Sequence, residues 1–450
     1  MFRILLVTFF IILSGNALVQ ISTNSSYSTR GIGDVGFYGN AYLSGLGGAA
    51  TALADSSQTN LYNPSTYALI AKQLPLFSIG VNHFEKKFSN NGITTKGRFS
   101  SITHMSLVVP FAKRFGIAAG LKPLSRSGYE INDAEMVEGD SIFYNYSGDG
   151  EIQEFLLGFS GTIIDRRKQS LSIGVNGKYY FGKINRERLA FKKASGVKTG
   201  GMESQAIRAK DFGIELGINY DYRFSRQHSL RFGGVYRLAK SIRSEQSQRK
   251  IYYGNYVSQD TYDTLYNATG IDGDFYLPAK TSVGLTYTFT PHNDSLSGNS
   301  KLRSYMFTLE YTMSDWSGYQ ETFDGKSETG QYINSDALRF GFEFKPHRIA
   351  TDRSAYINIL DKMNYRVGAY HVNTPHQMNG EQIVNQGVSI GLGLPLIISR
   401  AVSTLSISGS YGVMGKGAGS GVVKENYFGF NLGINIAPGY DKWFRKYKLD

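Results

Sequence analysis

The chain has 450 residues, with 52 Gly, 31 Tyr and 28 Phe against 10 Pro and 2 Trp, a composition typical of many strands joined by tight turns. It contains no Cys, which excludes disulfides, thiolate metal sites and a lipidated N-terminal Cys. The formal net charge of +12 suits anionic lipid head groups or a generally solvated surface, and for an exported chain we expect no nucleic-acid partner.

Residues 1–17 predict a secretory signal peptide. Arg3 gives the positive n-region, Ile4–Leu13 the apolar core, and Gly15-Asn16-Ala17 a small-x-small cleavage site. A transmembrane anchor is the alternative, but the apolar core has only about half of the roughly 20 residues that a spanning helix needs. No later stretch is apolar enough for a membrane helix, so we expect the exported chain to enter a membrane only as a barrel.

Residues 18–72 include a turn-rich stretch that does not alternate, GLGGAATALADSSQTNLYNPS, from Gly45 to Ser65. Its glycines and alanines allow close backbone packing, its Asp and Ser residues favour caps and turns, and its Asn-Pro pair gives a rigid turn. We predict that this segment is a folded plug, or hatch. Its candidate hatch and gating residues are Gly47, Gly48, Asp55, Asn63, Pro64 and Ser65.

From about residue 75 onward, apolar and polar residues alternate with period two. In SLSIGVNGKYYFGK, for example, Leu171, Ile173 and Val175 share one face, while Ser172 and Asn176 share the other. A soluble sandwich also alternates, but these segments exceed the usual soluble strand of about 5–6 residues. Their polar faces also carry charged residues in mid-strand, which suits a wet lumen.

The pattern predicts an all-β fold: a transmembrane antiparallel barrel of fourteen strands spanning residues 73–437, followed by a periplasmic tail at 438–450. The predicted strands are 75–86, 95–110, 115–132, 150–164, 170–190, 203–223, 228–245, 279–290, 302–318, 334–345, 362–375, 382–398, 402–415 and 424–437.

The connections partly follow the rule of short periplasmic turns and long outer loops. Those after strands 2, 4, 6 and 12 are predicted to be short, and those after strands 3, 5, 7 and 9 long, the longest from about Glu245 to Pro278. Pro346–Asp361 and Pro375–Glu381 break the rule. Arg166–Lys168 then falls in a solvated periplasmic turn.

A barrel of fourteen strands is too wide for its own side chains to fill, since about 8 strands is the packed limit. We therefore expect the N-terminal segment to lie in the lumen.

The run GGAATALADSSQTNLYNPSTYALI, followed at once by a strand, resembles the FadL/TodX (OMPP1) outer-membrane transporters of long-chain fatty acids and other hydrophobic molecules. In that family a hatch with a GGA…A…D…NPA pattern precedes fourteen strands. Asn63 and Pro64 match the NPA turn, and Ser65 replaces its Ala. The chain departs from the family at its end, because residues follow the last strand where a terminal aromatic is usual.

The resemblance implies passive transport across the outer membrane. A hydrophobic ligand, such as a long-chain fatty acid or hydrocarbon, would bind in the barrel, shift the hatch and leave sideways at a kinked third strand. The third strand here, RFGIAAGLKPLSRSGYEI, contains Gly120, Pro123 and Gly128 as candidate kink residues. Proline cannot donate a ladder hydrogen bond and so occurs at bulges or free edges; a bulge at the barrel rim without function is the alternative.

Four basic residues are candidate lumen contacts for a carboxylate head group: Lys178, Arg231, Arg237 and Arg339. We favour the alternative that such residues neutralise the inward-facing Glu215, Glu310 and Glu343.

We expect no enzyme activity, catalytic residue, cofactor or metal. Gly387–Gly391 matches G-x-S-x-G but lies in mid-strand without the strand-turn-helix elbow that this motif needs. Gly415–Gly421 lacks the helix of a phosphate loop, and the seven His form no metal-type pair. Outer-membrane lipid and lipopolysaccharide are expected surface partners. The alternative function is a non-transporting partner of secretion machinery, similar to the shuttle protein of type IX secretion.

Overall fold

The computed structural model describes residues 25–37, 39–70, 75–90, 92–111, 114–137, 140–194, 197–254, 262–291, 301–347, 349, 357–398, 401–416 and 422–437. The predicted signal peptide, the C-terminal tail and most of Gly415–Gly421 lie outside these residues.

The described residues form eighteen strands. They are β1 (Leu76–Asn90), β2 (Ile93–Phe111), β3 (Phe115–Val137), β4 (Asp140–Asp165), β5 (Gln169–Ala194), β6 (Val197–Arg223), β7 (His228–Arg237), β8 (Lys240–Tyr253), β9 (Tyr262–Leu277), β10 (Lys280–Phe289), β11 (Ser304–Ser314), β12 (Gln320–Phe323), β13 (Lys326–Thr329), β14 (Ser335–Lys345), β15 (Asn364–Met378), β16 (Glu381–Ile398), β17 (Ala401–Met414) and β18 (Lys424–Ile436).

These strands make one closed antiparallel sheet. β18 pairs with β1 from Ile436 opposite Phe77 to Lys424 opposite Ser89, and this pairing closes the ring. Four positions in the ring hold two consecutive strands each: β7 with β8, β9 with β10, β11 with β12, and β13 with β14. The barrel therefore has fourteen positions. The predicted all-β, fourteen-stranded barrel is confirmed.

The predicted long loops after strands 3, 5 and 7 are wrong. β3 runs to Val137 and β4 starts at Asp140, while β5 runs to Ala194 and β6 starts at Val197. The predicted loop from Glu245 to Pro278 is also mostly strand, because β8 continues to Tyr253 and β9 begins at Tyr262. These outer parts are largely polar and bury only scattered apolar residues, such as Ile184, Ile207 and Ile242, so they show too little period-two alternation to be recognised.

The lower part of the wall has the two faces of a membrane barrel. On β6, Phe212, Ile214 and Leu216 are 63%, 48% and 46% exposed. Glu215, which lies between Ile214 and Leu216, and Asn219, which lies beyond them, are buried. Apolar side chains thus face lipid and polar ones face the lumen. The wall is thus that of a transmembrane β-barrel.

Beyond this apolar belt several strands continue outward. β5 extends for twelve residues from Lys183 to Ala194, roughly 40 Å at about 3.3 Å per residue. We call the parts of β3–β6, β8 and β9 beyond the belt the outer wing.

None of the helices within the described ranges has the length and apolar character needed to cross a membrane.

Candidate functional site: a plugged lumen beside a break in the wall

Residues 25–70 lie inside the ring of strands. The short helix Ala41–Ser44 packs against β16, β17 and β18, and the helix Pro64–Leu69 packs against β2, β3, β4, β5 and β6. A segment that touches strands on opposite sides of a closed sheet must occupy its lumen. We use the label plug for the described residues 25–37 and 39–70; their role as a moving hatch stays a prediction.

The Asn-Pro-Ser turn of the plug is held by the side chain of Asn63. Its Oδ1 accepts the backbone N–H of Ser65 at 3.0 Å and the Ser65 hydroxyl at 2.7 Å, and Pro64 takes the first helical position. Its amide donates to the carbonyl oxygens of Thr51 at 2.6 Å and of Ile218 on β6 at 3.2 Å. The turn is therefore fixed both within the plug and to the wall.

A ring of glycines on the inner wall receives the plug. A Cβ added to any of them would stand 3.0 Å or less from an atom of residues 45–67, which is closer than real Cβ contacts. The glycines of this ring are Gly116, Gly158, Gly174, Gly217, Gly233, Gly284, Gly341, Gly368 and Gly391. They come from nine strands, so the plug backbone lies against the wall around most of its circumference.

Gly47 and Gly48 lie where the plug meets β14 and β15. Their φ angles of +68° and +82° fall in the left-handed region that favours glycine. A Cβ on Gly47 would stand 2.6 Å from the carbonyl oxygen of Ala369, and its N–H donates to the hydroxyl of Ser389 at 3.1 Å.

Ser389, the serine of the G-x-S-x-G match, is therefore a plug contact in the middle of β16. Within the described ranges, no group of three His, Asp or Glu side chains is placed to hold a metal ion.

Glu310 on β11 also anchors the plug to the wall. Its Oε2 accepts the backbone N–H groups of Ala50 and Thr51, both at 2.7 Å, and its Oε1 accepts from Arg339 at 3.2 Å and from Thr312 at 3.1 Å. One buried carboxylate thus satisfies two plug donors and one lumen cation.

Asp55 forms an ion pair between the plug and a lysine of the wall. Its Oδ2 lies 2.8 Å from Nζ of Lys345, and its Oδ1 accepts the N–H and hydroxyl of Ser57. Burial alone raises the pKa of Asp55, but Lys345 and Ser57 outweigh burial and hold this pKa well below its usual range.

This depressed pKa predicts how the plug responds to acid. A carboxyl with a lowered folded-state pKa contributes stability above its unfolded pKa of about 4, and this stability is lost as the pH falls through the folded value. We expect protease sensitivity of the plug to be constant from about pH 8 to pH 4 and to rise only at lower pH. Asp55→Asn should raise it wherever Asp55 is ionised in the folded protein, while the control Asp361→Asn, which changes a pair with Lys301 and a hydrogen bond from Asn358 outside the plug, should leave it unchanged. A rise near neutral pH in the unmodified protein would contradict this.

The four candidate lumen cations occupy different surroundings. Lys178 lies 2.7 Å from Glu215 and 3.4 Å from Glu154, and Arg339 lies 3.2 Å from Glu310. Both are therefore paired with carboxylates.

Arg231 and Arg237 differ from these two. Arg231 donates to Asp221 and to the plug carbonyl of Ala54, both at 2.8 Å. Arg237 donates to the carbonyl of Pro278 at 3.0 Å, but its buried Nε has no hydrogen-bond partner. Nε of Arg231 is likewise buried without a hydrogen-bond partner, so both arginines keep an unused buried donor. Their contact with a ligand stays a prediction.

The third strand separates from the second at the predicted kink. Pairing of β3 with β2 ends at Leu121 opposite Met105, although β3 pairs with β4 as far as Val137. The register of the β3–β4 pair shifts between Pro123 and Ser125. Beyond Leu121 the wall is therefore split, and we call this split the notch.

The two glycines of the predicted kink lie on either side of the start of the notch. A Cβ on Gly120 would stand 2.8 Å from the plug side chain of Leu61. The carbonyl of Gly128 accepts the N–H of Ser25, where the described part of the plug begins, at 2.9 Å.

Arg126 bridges the notch. Its buried guanidinium donates to Glu151 on β4 at 3.1 Å and, across the split, to the hydroxyl of Ser101 at 2.5 Å and the carbonyl of Ile102 at 2.7 Å. Its backbone exchanges two hydrogen bonds with Asp34 of the plug, at 2.7 and 2.9 Å. The backbone of Arg126, which does not pair with β2, thus pairs with Asp34 of the plug.

A cavity of about 280 Å³ lies between the plug and the wall. Its lining runs around much of the lumen, from β1 and β2 past β6 to β15 and β18, and reaches the notch at Pro123 and Leu124. Pro123 and Leu124 line it from β3 and Phe99 from β2, and Phe37 and Tyr62 line it from the plug. The two plug rings stack with centroids 4.8 Å apart.

Basic side chains border the same cavity. Nζ of Lys122 and of Lys280 lie 4.6 and 5.8 Å from the centroid of the Tyr62 ring. Lys122 pairs with Glu154, whereas Lys280 has no ion pair within the described residues. The cavity therefore combines aromatic walls with positive charge.

A protein-family model described as BamG matches the whole chain, residues 1–450. The chain belongs to the BamG family. A search of curated proteins gives no significant match.

Solved structures share the fold of this BamG-family chain. A toluene transporter of P. putida, TodX, superposes with a TM-score of 0.52 at 13% identity, covering 90% of this chain and 99% of that one. The Ralstonia pickettii toluene transporter TbuX gives 0.52 at 12% identity, covering 88% and 98%. The CymD monoaromatic hydrocarbon channel gives 0.51 at 11% identity, covering 90% and 98%. The expected resemblance to TodX thus holds for the fold, while the family is BamG.

Sequence reasoning missed the glycine ring, Glu310 as a plug anchor, and the bridge made by Arg126 and Asp34. The ring had a readable signal, because glycines such as Gly174 and Gly217 stand at inward positions of alternating strands. The bridge had none, since it joins residues far apart in the chain.

Proposed function

We propose that this BamG-family chain conducts small hydrophobic or amphipathic molecules across the outer membrane, with the cavity as binding site and the notch as lateral exit. The observation that carries the proposal is the position of the cavity, which is lined by Pro123 and Leu124 where β3 leaves β2. The solved structures with this fold are described as toluene transporters and a monoaromatic hydrocarbon channel.

The notch opens at the level of the outer leaflet. Leu121, the last residue of β3 that pairs with β2, stands opposite the lipid-facing Phe155 on β4, and Pro123 stands opposite Gln153. Free strand edges are costly within hydrocarbon. A split that starts at the top of the apolar belt avoids most of that cost and leads to the lipid head groups.

The cavity chemistry favours a ligand with an apolar body and an anionic end. A cavity of about 150 Å³ accepts benzene, so 280 Å³ accommodates a substituted aromatic ring, or the carboxylate end of a fatty acid. The aromatic side chains would contact the body of the ligand, and Lys280 and the free Nε of Arg237 would bind its carboxylate.

Filling the cavity should stop transport without changing the barrel. Thr103 is buried on β2 and lines the cavity, while Leu107 on the same strand is 44% exposed on the lipid face, where β2 still pairs with β3. We expect Thr103→Trp to lower uptake of a radiolabelled monoaromatic carboxylate about tenfold, which corresponds to about 1.4 kcal/mol of lost binding. Leu107→Trp is the matched control and should transport normally. Equal uptake by both variants would refute the cavity as the route.

A second function, a non-transporting partner of an outer-membrane machinery, is favoured by the outer wing. Its strands extend far beyond what a membrane requires, and large apolar side chains near the outer ends of these hairpins are exposed, including Met136 at 72% and Leu265 at 70%. Recovery of a stable protein complex from outer membranes, together with normal growth of the Thr103→Trp variant and no measurable uptake by the unmodified protein, would favour this role.

A further inference from the structure

Three basic side chains stand together just beyond the apolar belt, on the outward face of the wall. Lys183 on β5 is directly opposite Arg208 on β6, and Lys210 lies two residues nearer the belt, opposite Phe181. All three are exposed. We call them the basic patch. Like charges placed directly opposite on neighbouring strands repel each other, so an anion bound between them would relieve this repulsion.

Two carboxylates stand opposite the three basic residues and neutralise the patch only in part. Glu151, opposite Lys183 on β4, is held by Arg126 at 3.1 Å. Glu245, opposite Arg208 on β8, forms no ion pair with it among the described residues. The patch is thus available to an external anion.

A polar groove of about 440 Å³ rises from the patch along the outer wing and shares Lys183 with it. Small side chains on β6 and β8, those of Ser204, Ala206 and Ser247, leave room for the groove. Among the described residues that line it, none has an apolar side chain larger than Ala. Its other side chains include Ser147, Asp149, Asn185, Glu187, Arg249 and Asn267.

The patch lies at the depth of lipid head groups. Tyr179 and Phe212, whose rings are 4.9 Å apart, stand on the same outward face one step nearer the membrane. Aromatic residues of this kind mark the membrane interface of outer-membrane barrels. An anion at the patch is therefore expected to belong to the outer leaflet.

We propose that the basic patch and the polar groove bind the phosphorylated saccharide head group of an outer-leaflet glycolipid. Its phosphate lies among Lys183, Arg208 and Lys210, which donate charge-assisted hydrogen bonds. Its sugar hydroxyls lie in the groove, where amide, hydroxyl and carboxylate groups bind them. This site faces lipid and is independent of the proposed transport function.

The test measures glycolipid binding to the purified full-length barrel in detergent by native mass spectrometry. A diphosphorylated lipid A saccharide should bind at least about tenfold more weakly to the triple variant K183Q/R208Q/K210Q, because its charge-assisted hydrogen bonds are lost. Ala206→Trp, which fills the groove and keeps the charges, should also weaken binding. The control R188Q/K192Q/K250Q removes three basic residues farther out on the wing and should bind normally.

Two further arms identify the source of the phosphate. Dephosphorylated lipid A should bind the unmodified protein no better than it binds the triple variant, and inorganic phosphate at millimolar concentration should not compete. Equal loss in the control, unchanged binding by the patch variant or by Ala206→Trp, or displacement by inorganic phosphate would overturn the assignment. Heat-modifiable migration on gels confirms that each variant is a folded barrel.

Discussion

Gly174→Ala should displace the plug while the barrel itself stays folded. A Cβ at this inward-facing position of β5 would collide with the carbonyl carbon of Pro64 and with the N–H of Ser65. Both contacts are to backbone, which cannot rotate away. Overpacking of this kind costs typically about 1–3 kcal/mol, and here the loosely connected partner is the plug, so it moves rather than the wall.

The matched control is Gly177→Ala on the same strand. A Cβ there faces outward and has only the carbonyl oxygen of Leu157 within reach, at 3.9 Å. Conductance in planar bilayers and protease cleavage within residues 45–67 measure the outcome. We expect leak and cleavage with Gly174→Ala and neither with Gly177→Ala. Similar behaviour of the two variants would show that the glycine ring does not hold the plug.

Glu310→Ala should release the part of the plug that contains Ala50 and Thr51. The substitution leaves the buried N–H groups of Ala50 and Thr51 without their acceptor and Arg339 without its carboxylate. Each unsatisfied buried donor costs about 1–3 kcal/mol, so we expect the plug to lose about 3–5 kcal/mol of its attachment.

Glu310→Gln separates the two contributions. The amide oxygen still accepts from Ala50 and Thr51, but the ion pair with Arg339 is lost. Leak and protease sensitivity should therefore fall between those of the unmodified protein and Glu310→Ala. Glu310→Gln as damaging as Glu310→Ala would mean that the ion pair, and not the plug hydrogen bonds, dominates.

The barrel could be predicted from the sequence because the strands of its lower wall face lipid on one side and the wet lumen on the other. On β6, lipid demands Phe212 and Ile214 outside, and the wet lumen accepts Glu215 inside. The outer wing is largely polar and buries only scattered apolar residues, such as Ile184 and Ile207, so its strands carry little such alternation. This is why the outer ends of the β3–β4 and β5–β6 hairpins were expected to be loops.

The candidate site was predicted only in part, because only features with a local signal in the sequence could be recognised. Local chemistry marks the turn at Asn63-Pro64 and the irregular strand at Pro123, and the structure places both at contacts between plug and wall. Ion pairs and hydrogen bonds between distant segments leave no local trace. Glu310 with Ala50, and Arg126 with Asp34, join residues separated by far more than one turn or hairpin.

The most direct test of the transport account is whether an amphipathic aromatic acid occupies the cavity beside the notch. Crystals of the full-length protein soaked with 4-iodobenzoate would locate the iodine by anomalous scattering. The account predicts an iodine peak between Phe99 and Tyr62, with the carboxylate toward Lys280, and loss of this peak in Thr103→Trp crystals. An empty cavity, or iodine found only on the lipid-facing surface, would contradict it.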